Sequence, residues 1–337
     1  MVKKLLHPKA VFFFTLTVAV SLFCWATFRI SYVPMPRSGE GALIYVNHAG
    51  DDLRMTVTKA IDQAKKSVTL IIYTLTDPQI INTLNEKARN GVAVTVIYDK
   101  KGSRKIFHKL DSKVHAVPVR GKGLMHQKLL VIDEEQVWIG SANMTSQSLR
   151  MHENLMIGMH SPTIAKTILN KANSHMRVGL KQAINPSHVS IGNQESELLF
   201  LPDDPLAVEK ITNMIESAKK SIRIAMFTWT RPDFAQAAAK AKERGVTVEV
   251  VVDSNSGNGV GAKVVSYLRR HGIPVHLSEG ASLLHHKLML IDDETLVTGS
   301  ANWTKAAFTQ NDDCIIILKN LTSAQKQKLD TMWLSMK

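Results

Sequence analysis

The chain has 337 residues, of which 45% are hydrophobic, and it carries a formal net charge of +13. This length and apolar content allow two domains with full hydrophobic cores and exclude a generally disordered protein. The charge favours anionic partners such as phospholipid head groups or nucleic acid. The two cysteines, Cys24 and Cys314, support neither a disulfide framework nor a cysteine metal site.

The first segment along the chain is apolar. Residues 10–28 contain no charged side chain and follow Lys3, Lys4 and Lys9. A segment of this length is about the shortest that spans a bilayer as a helix. We expect a single-pass signal-anchor with a cytoplasmic N-terminus and an extracytoplasmic catalytic region, so that residues 1–40 form a membrane anchor and tether. A cleaved signal peptide is the alternative, but no small-x-small pattern closes the segment.

Beyond this segment the sequence is duplicated. The stretch "AKKSVTLIIYTLTDP" at 64–78 matches "AKKSIRIAMFTWTRP" at 218–232. Self-similarity at a fixed spacing indicates an internal structural repeat. We expect three parts after the anchor: a first lobe at 41–165, a connection at 166–195 and a second lobe at 196–337.

Each copy alternates predicted helices with short apolar runs rich in β-branched residues, and two adjacent strands follow. This order predicts an α/β layer fold. We therefore expect each lobe to be an α/β/α sandwich.

One eight-residue pattern occurs in both copies. "HQKLLVID" at 126–133 returns as "HHKLMLID" at 285–292. Each is followed at the same distance by "GSAN", at 140–143 and at 299–302. A single match of this kind is weak evidence, but two matches in equivalent positions are not a coincidence.

The motif strand and the next strand are predicted to form a hairpin. Side chains two apart on a strand share a face, so His126 and Lys128 point the same way. With a two-residue turn at 134–135, the register sets Lys128 opposite Ser141. His126 then lies opposite Asn143. The same register in the second copy brings together His285, Lys287, Ser300 and Asn302. A cation, an imidazole, a hydroxyl and an amide on one patch predict an oxyanion site in each copy.

The carboxylates near each motif are expected to have different roles. Asp133 follows His126 by seven residues, about 23 Å along an extended strand, so it is predicted to be structural. Another carboxylate follows each histidine 27 residues later, Glu153 for His126 and Asp312 for His285. We expect these two to orient the imidazoles, as carboxylates do beside catalytic histidines.

Two half-sites, each with one histidine and one lysine, suit the cleavage of a phosphodiester. Its transition state spreads negative charge over several oxygens, and two lysines can balance that charge without a metal ion or cofactor. One histidine can attack phosphorus to give a phosphohistidine. The other can protonate the leaving oxygen and later deprotonate water.

The paired motifs resemble those of the phospholipase D superfamily over roughly residues 43–318. The second motif is particularly similar to the branch of bacterial nucleases and the mitochondrial cardiolipin hydrolase, in which separate chains supply the two units. The resemblance implies two lobes with mixed β-sheets related by a pseudo-two-fold axis, within a monomer. It also implies that His126 is the nucleophile and His285 the general acid and base. The motif residues that it assigns to catalysis are His126, Lys128, Asp133, His285, Lys287 and Asp292.

Four functions are compatible with these features. The first is a membrane-anchored phosphodiesterase that hydrolyses phospholipid head groups, because an anchor places the site beside its substrate. The basic charge also suits a nuclease. A phosphatidyltransferase that uses a lipid alcohol instead of water is the third. An inactive binding module is the fourth, and it is disfavoured because both histidines and both lysines are present.

Overall fold

The computed structural model describes residues 17–18, 20, 33–176, 187–279 and 282–336. The chain divides into two compact units, residues 1–34 and 35–337, and the second unit contains both copies of the repeat. In the described ranges no helix is long and apolar enough to cross a membrane. The predicted anchor at 10–28 lies almost entirely outside these ranges.

The first lobe, at residues 33–176, contains seven strands and four α-helices. The strands are β1 (Leu43–Val46), β2 (Ser67–Ile72), β3 (Ala93–Asp99), β4 (His115–Val119), β5 (Lys128–Ile132), β6 (Gln136–Gly140) and β7 (Leu155–His160). The helices are α1 (Leu53–Asp62), α2 (Pro78–Arg89), α3 (Ser146–Arg150) and α4 (Pro162–Met176). Short 3-10 turns, Asn47–Ala49 and Ile106–His108, follow β1 and β3.

The second lobe repeats this order, adds one strand at its start and has two helices where the first lobe has the 3-10 turn after β3. Its strands are β8 (Ser187–Ile191), β9 (Gln194–Leu201), β10 (Ser221–Met226), β11 (Thr247–Val252), β12 (Val275–Leu277), β13 (Lys287–Ile291), β14 (Thr295–Gly299) and β15 (Asp313–Lys319). Its helices are α5 (Ala207–Ser217), α6 (Pro232–Glu243), α7 (Ser254–Asn258), α8 (Ala262–Arg270), α9 (Lys305–Thr309) and α10 (Ser323–Ser335). The predicted connection at 166–195 therefore begins within α4 and ends within β9.

The two sheets have the same strand order. It is β4-β3-β2-β5-β6-β7-β1 in the first lobe and β12-β11-β10-β13-β14-β15-β9-β8 in the second. In each sheet the first three strands run parallel, as helix crossovers require, and the remaining pairs are antiparallel. The expected mixed α/β fold with two duplicated lobes is confirmed.

The helix after each first parallel strand begins at a proline. Pro78 opens α2 and Pro232 opens α6, where the fixed φ of proline is compatible with a helix and its missing N–H is not needed. The Asp77 carboxylate caps α2 by accepting bonds from the backbone N–H groups of Gln79 and Ile80. The two helices therefore begin at equivalent points of the two copies.

One hydrophobic core joins the two lobes. A single cluster of buried side chains includes Ile71, Leu129 and Ile157 from the first sheet with Leu288 and Ile316 from the second. Truncating a fully buried side chain of this kind to alanine typically costs about 2–5 kcal/mol. The lobes therefore share one core, which fixes the site between them.

The motif hairpins turn over three residues rather than the predicted two. Ile132 pairs with Gln136, and the turn between them contains two consecutive acidic residues with positive φ. The second lobe has the same turn. The predicted register was wrong by one residue, so that Lys128 lies level with Gly140 and not with Ser141.

Candidate active site

Both motif strands begin at the same edge of their sheets. Lys128 pairs with Ile72, the last residue of β2, and Lys287 pairs with Met226, the last residue of β10. Because β2 and β10 are parallel to their neighbours β3 and β11, the carboxyl ends of these strands lie at this edge too. We call it the catalytic edge.

The backbone before each motif lysine pairs with the other lobe. The His126 N–H donates to the carbonyl of Asp312 at 2.7 Å. In return, the His285 N–H donates to the carbonyl of Glu153 at 3.0 Å. Each lobe thus gives the other the same contact that it receives, which is the reciprocity of a two-fold interface. The two histidines meet at one site.

The His126 imidazole is held by a carboxylate from the other lobe. Its Nδ1 lies 2.8 Å from Oδ1 of Asp313, which is fully buried. The Ser300 hydroxyl donates to the same carboxylate oxygen at 2.6 Å. Since a carboxylate only accepts, Nδ1 of His126 carries the proton and Nε2 is left with its lone pair.

The His285 imidazole is held by an amide instead. Its Nδ1 lies 3.0 Å from Oδ1 of Asn154, which belongs to the first lobe. The Asn154 amide group donates to the carbonyl of Ser148 at 2.8 Å, and the Ser141 hydroxyl donates to Oδ1 at 2.8 Å. These bonds fix the amide orientation, so Nδ1 of His285 is also the protonated nitrogen. The two histidines are alike in tautomer but differ in the charge beside them.

Each lysine lies beside its histidine and against an aromatic ring. The Lys128 ammonium donates to the carbonyl of His126 at 2.5 Å, and it lies 5.4 Å from the ring centre of Tyr73. That ring contacts the His126 imidazole edge-on, with the centres 5.1 Å apart. Phe227 has the equivalent position in the second lobe, and its ring centre lies 4.8 Å from the Lys287 ammonium. Cation–π contact of this kind holds the ammonium in place without neutralising it.

Burial lowers the pKa of all four functional groups, the two histidines and the two lysines. Burial lowers the pKa of Lys128 to about 7, although the Asp313 carboxylate opposes the shift. Burial, followed by the charges of Lys287 and Lys128, lowers the pKa of His285 well below its usual value. Burial also lowers the pKa of His126, and Lys128 adds to this effect. An anionic phosphodiester entering the site would oppose these shifts and restore positive charge.

A family model described as "Cardiolipin synthase, PLD-like domain" matches the chain twice, at residues 57–176 and 211–333. The two matches together cover more than half of the chain and contain one motif each. The chain belongs to the phospholipase D-like family. The predicted resemblance to the phospholipase D superfamily is confirmed.

The curated relatives match a little over a third of this phospholipase D-like chain. Mitochondrial cardiolipin hydrolase of Chlamydomonas reinhardtii is 28% identical over 131 residues, which are 38% of this chain and 58% of that protein. The Homo sapiens and Danio rerio proteins of the same name are 28% and 32% identical over 120 residues. Those residues are 36% and 35% of this chain and 47% and 52% of the two proteins. The chain spans about half the length of these relatives.

Two solved structures are also similar. Phosphatidylserine synthase of Haemophilus influenzae Rd KW20 superposes with a TM-score of 0.67 over 91% of this chain and 89% of its own, at 14% identity, which supports the fold alone. Nuc of Salmonella typhimurium, a phospholipase D family member, is 30% identical. It covers 42% of this chain and 92% of its own with a TM-score of 0.39.

The carboxylates predicted to orient the imidazoles were the wrong ones. Glu153 lies 3.3 Å from Nδ1 of His48, and Asp312 lies 3.1 Å from the Lys171 ammonium. Their backbones pair with the histidine segments, whereas the side chains that reach the imidazoles belong to the next residues, Asn154 and Asp313. Successive side chains of an extended strand point to opposite sides, so a shift of one residue changes the group that reaches the site. Each histidine is also oriented by the opposite lobe, whereas the prediction paired residues within one lobe.

The motif aspartates lie at the far end of the strands from the histidines. The Asp133 carboxylate accepts bonds of 2.7–3.1 Å from the backbone N–H groups of Lys65, Lys66 and Ser67. Asp292 makes the same bonds in the second lobe. Burial would raise the pKa of Asp133, but these N–H donors lower it below its usual value. The predicted structural role fits this geometry, and neither carboxylate can take the catalytic role that the resemblance implied.

The serine and asparagine residues after the motifs have different hydrogen-bonding environments. Ser141 and Ser300 do not face the lysines as predicted, because they hold the amide and the carboxylate that orient the histidines. The side-chain oxygens of Asn143 and Asn302 are buried and have no hydrogen-bond partner among the described residues. Phosphate binding by these two asparagines stays a prediction.

Within the described ranges, no group of three or more histidine, cysteine, aspartate or glutamate side chains could hold a metal ion.

The sequence contained a signal for the residues that were missed. Asn154 and Asp313 occupy equivalent positions after the two motifs, as Tyr73 and Phe227 do directly after β2 and β10. Their identities differ between the copies, and a search for identical residues therefore passes over them.

Proposed function

We propose that this chain is a phosphodiesterase of phospholipase D type that hydrolyses the head-group diester of a phospholipid. The observation that carries the proposal is the reciprocal contact between the lobes. It brings two histidine–lysine pairs into one buried site, where neither Nε2 has a hydrogen-bond partner among the described residues.

His126 is the proposed nucleophile. Attack by its Nε2 on phosphorus makes the ring a phosphoimidazolium, and the Asp313 carboxylate at Nδ1 stabilises this positive charge. The phosphorus–oxygen bond to the head-group alcohol breaks in the same displacement. The neutral amide of Asn154 offers His285 no such stabilisation, and this difference assigns the roles.

His285 is the proposed general acid and base. In its protonated form it gives the Nε2 proton to the leaving alcohol oxygen. The neutral ring then takes a proton from water, and the hydroxyl attacks phosphorus as the bond to Nε2 of His126 breaks. Lys128 and Lys287 offset the negative charge on the phosphoryl oxygens in both steps, so the proposed reaction needs no metal ion or cofactor.

A phospholipid is the proposed substrate because two observations point to a membrane. The uncharged segment at 10–28 would anchor the chain beside its substrate if it spans the bilayer as predicted. The matched relatives are cardiolipin hydrolases by name. The basic charge suits anionic phospholipids and nucleic acid alike, so a nucleic-acid phosphodiester is the competitor to test. A lipid alcohol that replaces water would make the same site a phosphatidyltransferase.

The test offers the full chain in detergent three substrates, with and without EDTA. They are fluorescent phosphatidylcholine, cardiolipin and labelled single-stranded DNA. We expect lipid turnover that EDTA does not reduce. We expect the variants His126→Asn and His285→Asn to lose at least three orders of magnitude in kcat, since each removes one chemical step. Rapid acid-free quenching with phosphorus-labelled lipid should trap label on His126.

Several outcomes would contradict the proposal. Turnover of DNA alone would replace the lipid substrate with a nucleic acid. Products that form only when a second lipid alcohol is added would favour transfer over hydrolysis. Full activity in either histidine variant would exclude the two-histidine scheme.

A further inference from the structure

The loops around the active site emerge from the catalytic edge of both sheets. The segments after β3 and β4 follow parallel strands that end at this edge, and the segments after β11 and β12 do so in the second lobe. The loop between β6 and β7 lies at the same edge, because Gly140, the last residue of β6, pairs with Met156 near the start of β7. These loops form the rim of the catalytic edge.

The charge of this rim differs sharply between the lobes. In the first lobe, residues 100–109 and 120–123 contain seven exposed cations and no acidic residue: Lys100, Lys101, Arg104, Lys105, Lys109, Arg120 and Lys122. In the second lobe, residues 254–261 contain no charged residue, and residues 278–279 contain only Glu279. We call residues 100–109 and 120–123 the basic rim.

The basic rim is continuous and touches the nucleophile side of the site. The Lys100 N–H donates to the carbonyl of Val119 at 3.1 Å, and both segments line one depression of about 380 Å³. The Ser103 hydroxyl donates at 3.0 Å to the carbonyl of Tyr73, whose ring contacts His126. Like charges gathered beside a cleft raise the local concentration of anions there.

Exposed apolar side chains accompany these cations. Phe107 is 62% exposed in the basic rim, on a 3-10 turn that buried Ile106 holds in place. Met151 and Val260 are 60% and 71% exposed on other loops of the catalytic edge. Within the described part of 35–337, three of the five exposed large apolar side chains therefore lie on loops of the catalytic edge. Exposed apolar groups beside cations are typical of a surface that inserts into a lipid head-group layer.

We propose that the basic rim with Phe107, Met151 and Val260 is a docking surface for an anionic lipid bilayer. The proposal rests on the proposed function, and it adds that the enzyme works on negatively charged membranes and approaches them with the first lobe foremost. The aliphatic side chains favour a bilayer over nucleic acid, since methionine and valine offer nothing to a phosphate backbone, whereas they can enter the apolar layer beneath the head groups.

The test measures binding of the full chain to vesicles, without turnover. A His126→Asn background keeps the lipid unchanged during the measurement. Partitioning is compared between phosphatidylcholine vesicles and vesicles that contain phosphatidylglycerol as well. The measured ratio is the partition coefficient for the vesicles with phosphatidylglycerol divided by that for the phosphatidylcholine vesicles. Any contribution of residues 10–28 cancels in this ratio. We expect the ratio to be well above one, and to fall toward one in high salt because surface electrostatics are screened.

A charge-reversed variant and a matched control locate the effect. Lys100→Glu/Lys101→Glu/Lys105→Glu should lower the ratio by at least about a hundredfold, since the loss of each basic residue near an anionic surface costs about fivefold and each added negative charge lowers it further. The control carries the same charge change on exposed residues outside the catalytic edge, as Lys166→Glu/Lys240→Glu/Lys242→Glu. It should keep the ratio within a few-fold. In nanodiscs with anionic lipid, amide exchange should slow in 100–109.

The outcomes separate this proposal from the proposed function. An equal loss in both triple variants would reduce the effect to net charge and overturn a defined docking surface. Loss of single-stranded DNA binding with an unchanged vesicle ratio would assign the basic rim to nucleic acid instead. Neither result depends on turnover, so phospholipid hydrolysis by the unaltered chain would remain a separate observation.

Discussion

Replacement of Asp313 by asparagine tests the cross-lobe orientation of the proposed nucleophile. The Asp313 side chain is fully buried, and its Oδ1 lies 2.8 Å from Nδ1 of His126. Asparagine has the same shape and can accept the same bond through its side-chain oxygen, as Asn154 does for His285. The change therefore removes the negative charge and leaves the tautomer of His126 in place.

The expected loss follows from the distance and the burial. Burial would raise the pKa of Asp313, but His126 and Lys128 lower it below its usual value, so the group is ionised. Two unit charges about 4 Å apart interact by about 4 kcal/mol at an effective dielectric constant of 20. The remaining neutral hydrogen bond retains about 1 kcal/mol. A loss of about 2–4 kcal/mol in transition-state stabilisation corresponds to a decrease of about 30-fold to 1000-fold in kcat.

The assay is lipid turnover by the full-length variant under saturating substrate, with thermal unfolding as a check of folding. We expect kcat to fall while KM changes little, because the charge acts on the phosphoimidazolium and not on the bound substrate. Asp312→Asn is the matched control, since this neighbouring carboxylate contacts Lys171 and does not reach either imidazole. An Asp313→Asn enzyme within threefold of the original kcat, or a larger loss in Asp312→Asn, would refute the reasoning.

Two further variants probe the asymmetry between the lobes and the motif aspartates. Asn154→Asp places a carboxylate beside the His285 imidazole and should raise the pKa of His285. The alkaline limb of the pH profile of kcat/KM should therefore move to higher pH by roughly one unit. An unmoved limb would exclude His285 as the general acid. Asp133→Ala should lower the free energy of unfolding by about 1–2 kcal/mol in urea without lowering kcat, because its carboxylate bonds only backbone N–H groups. The folded pKa of Asp133 is lowered, so this stability is present above the unfolded pKa of about 3.9 and is lost as the pH falls through the folded value. A stability difference between Asp133→Ala and the original chain that persists below both pKa values would contradict that assignment.

Features that depend on local spacing could be predicted from the sequence. The duplication, the alternation of strands and helices and the shared face of His126 and Lys128 follow from periods of two and 3.6 residues and from a repeated spacing. The distance of Asp133 from the imidazole follows from the rise of an extended strand. Such properties are set by the backbone of one element, and neighbouring residues carry the whole signal.

The partners of the two histidines were decided only by the tertiary structure. The motif hairpin has a three-residue turn instead of the predicted two-residue turn. The carboxylate that orients His126 is Asp313 of the second lobe, whereas the sequence predicted Glu153 of the first lobe. The turn length depends on the backbone of two acidic residues with positive φ in each hairpin. The partner of His126 depends on how the two sheets pack around a shared core, because that packing sets which residue of one lobe faces the other. In an extended strand, a shift of one residue changes which side chains point toward the site. The sequence alone does not show which lobe supplies the side chain that contacts each histidine.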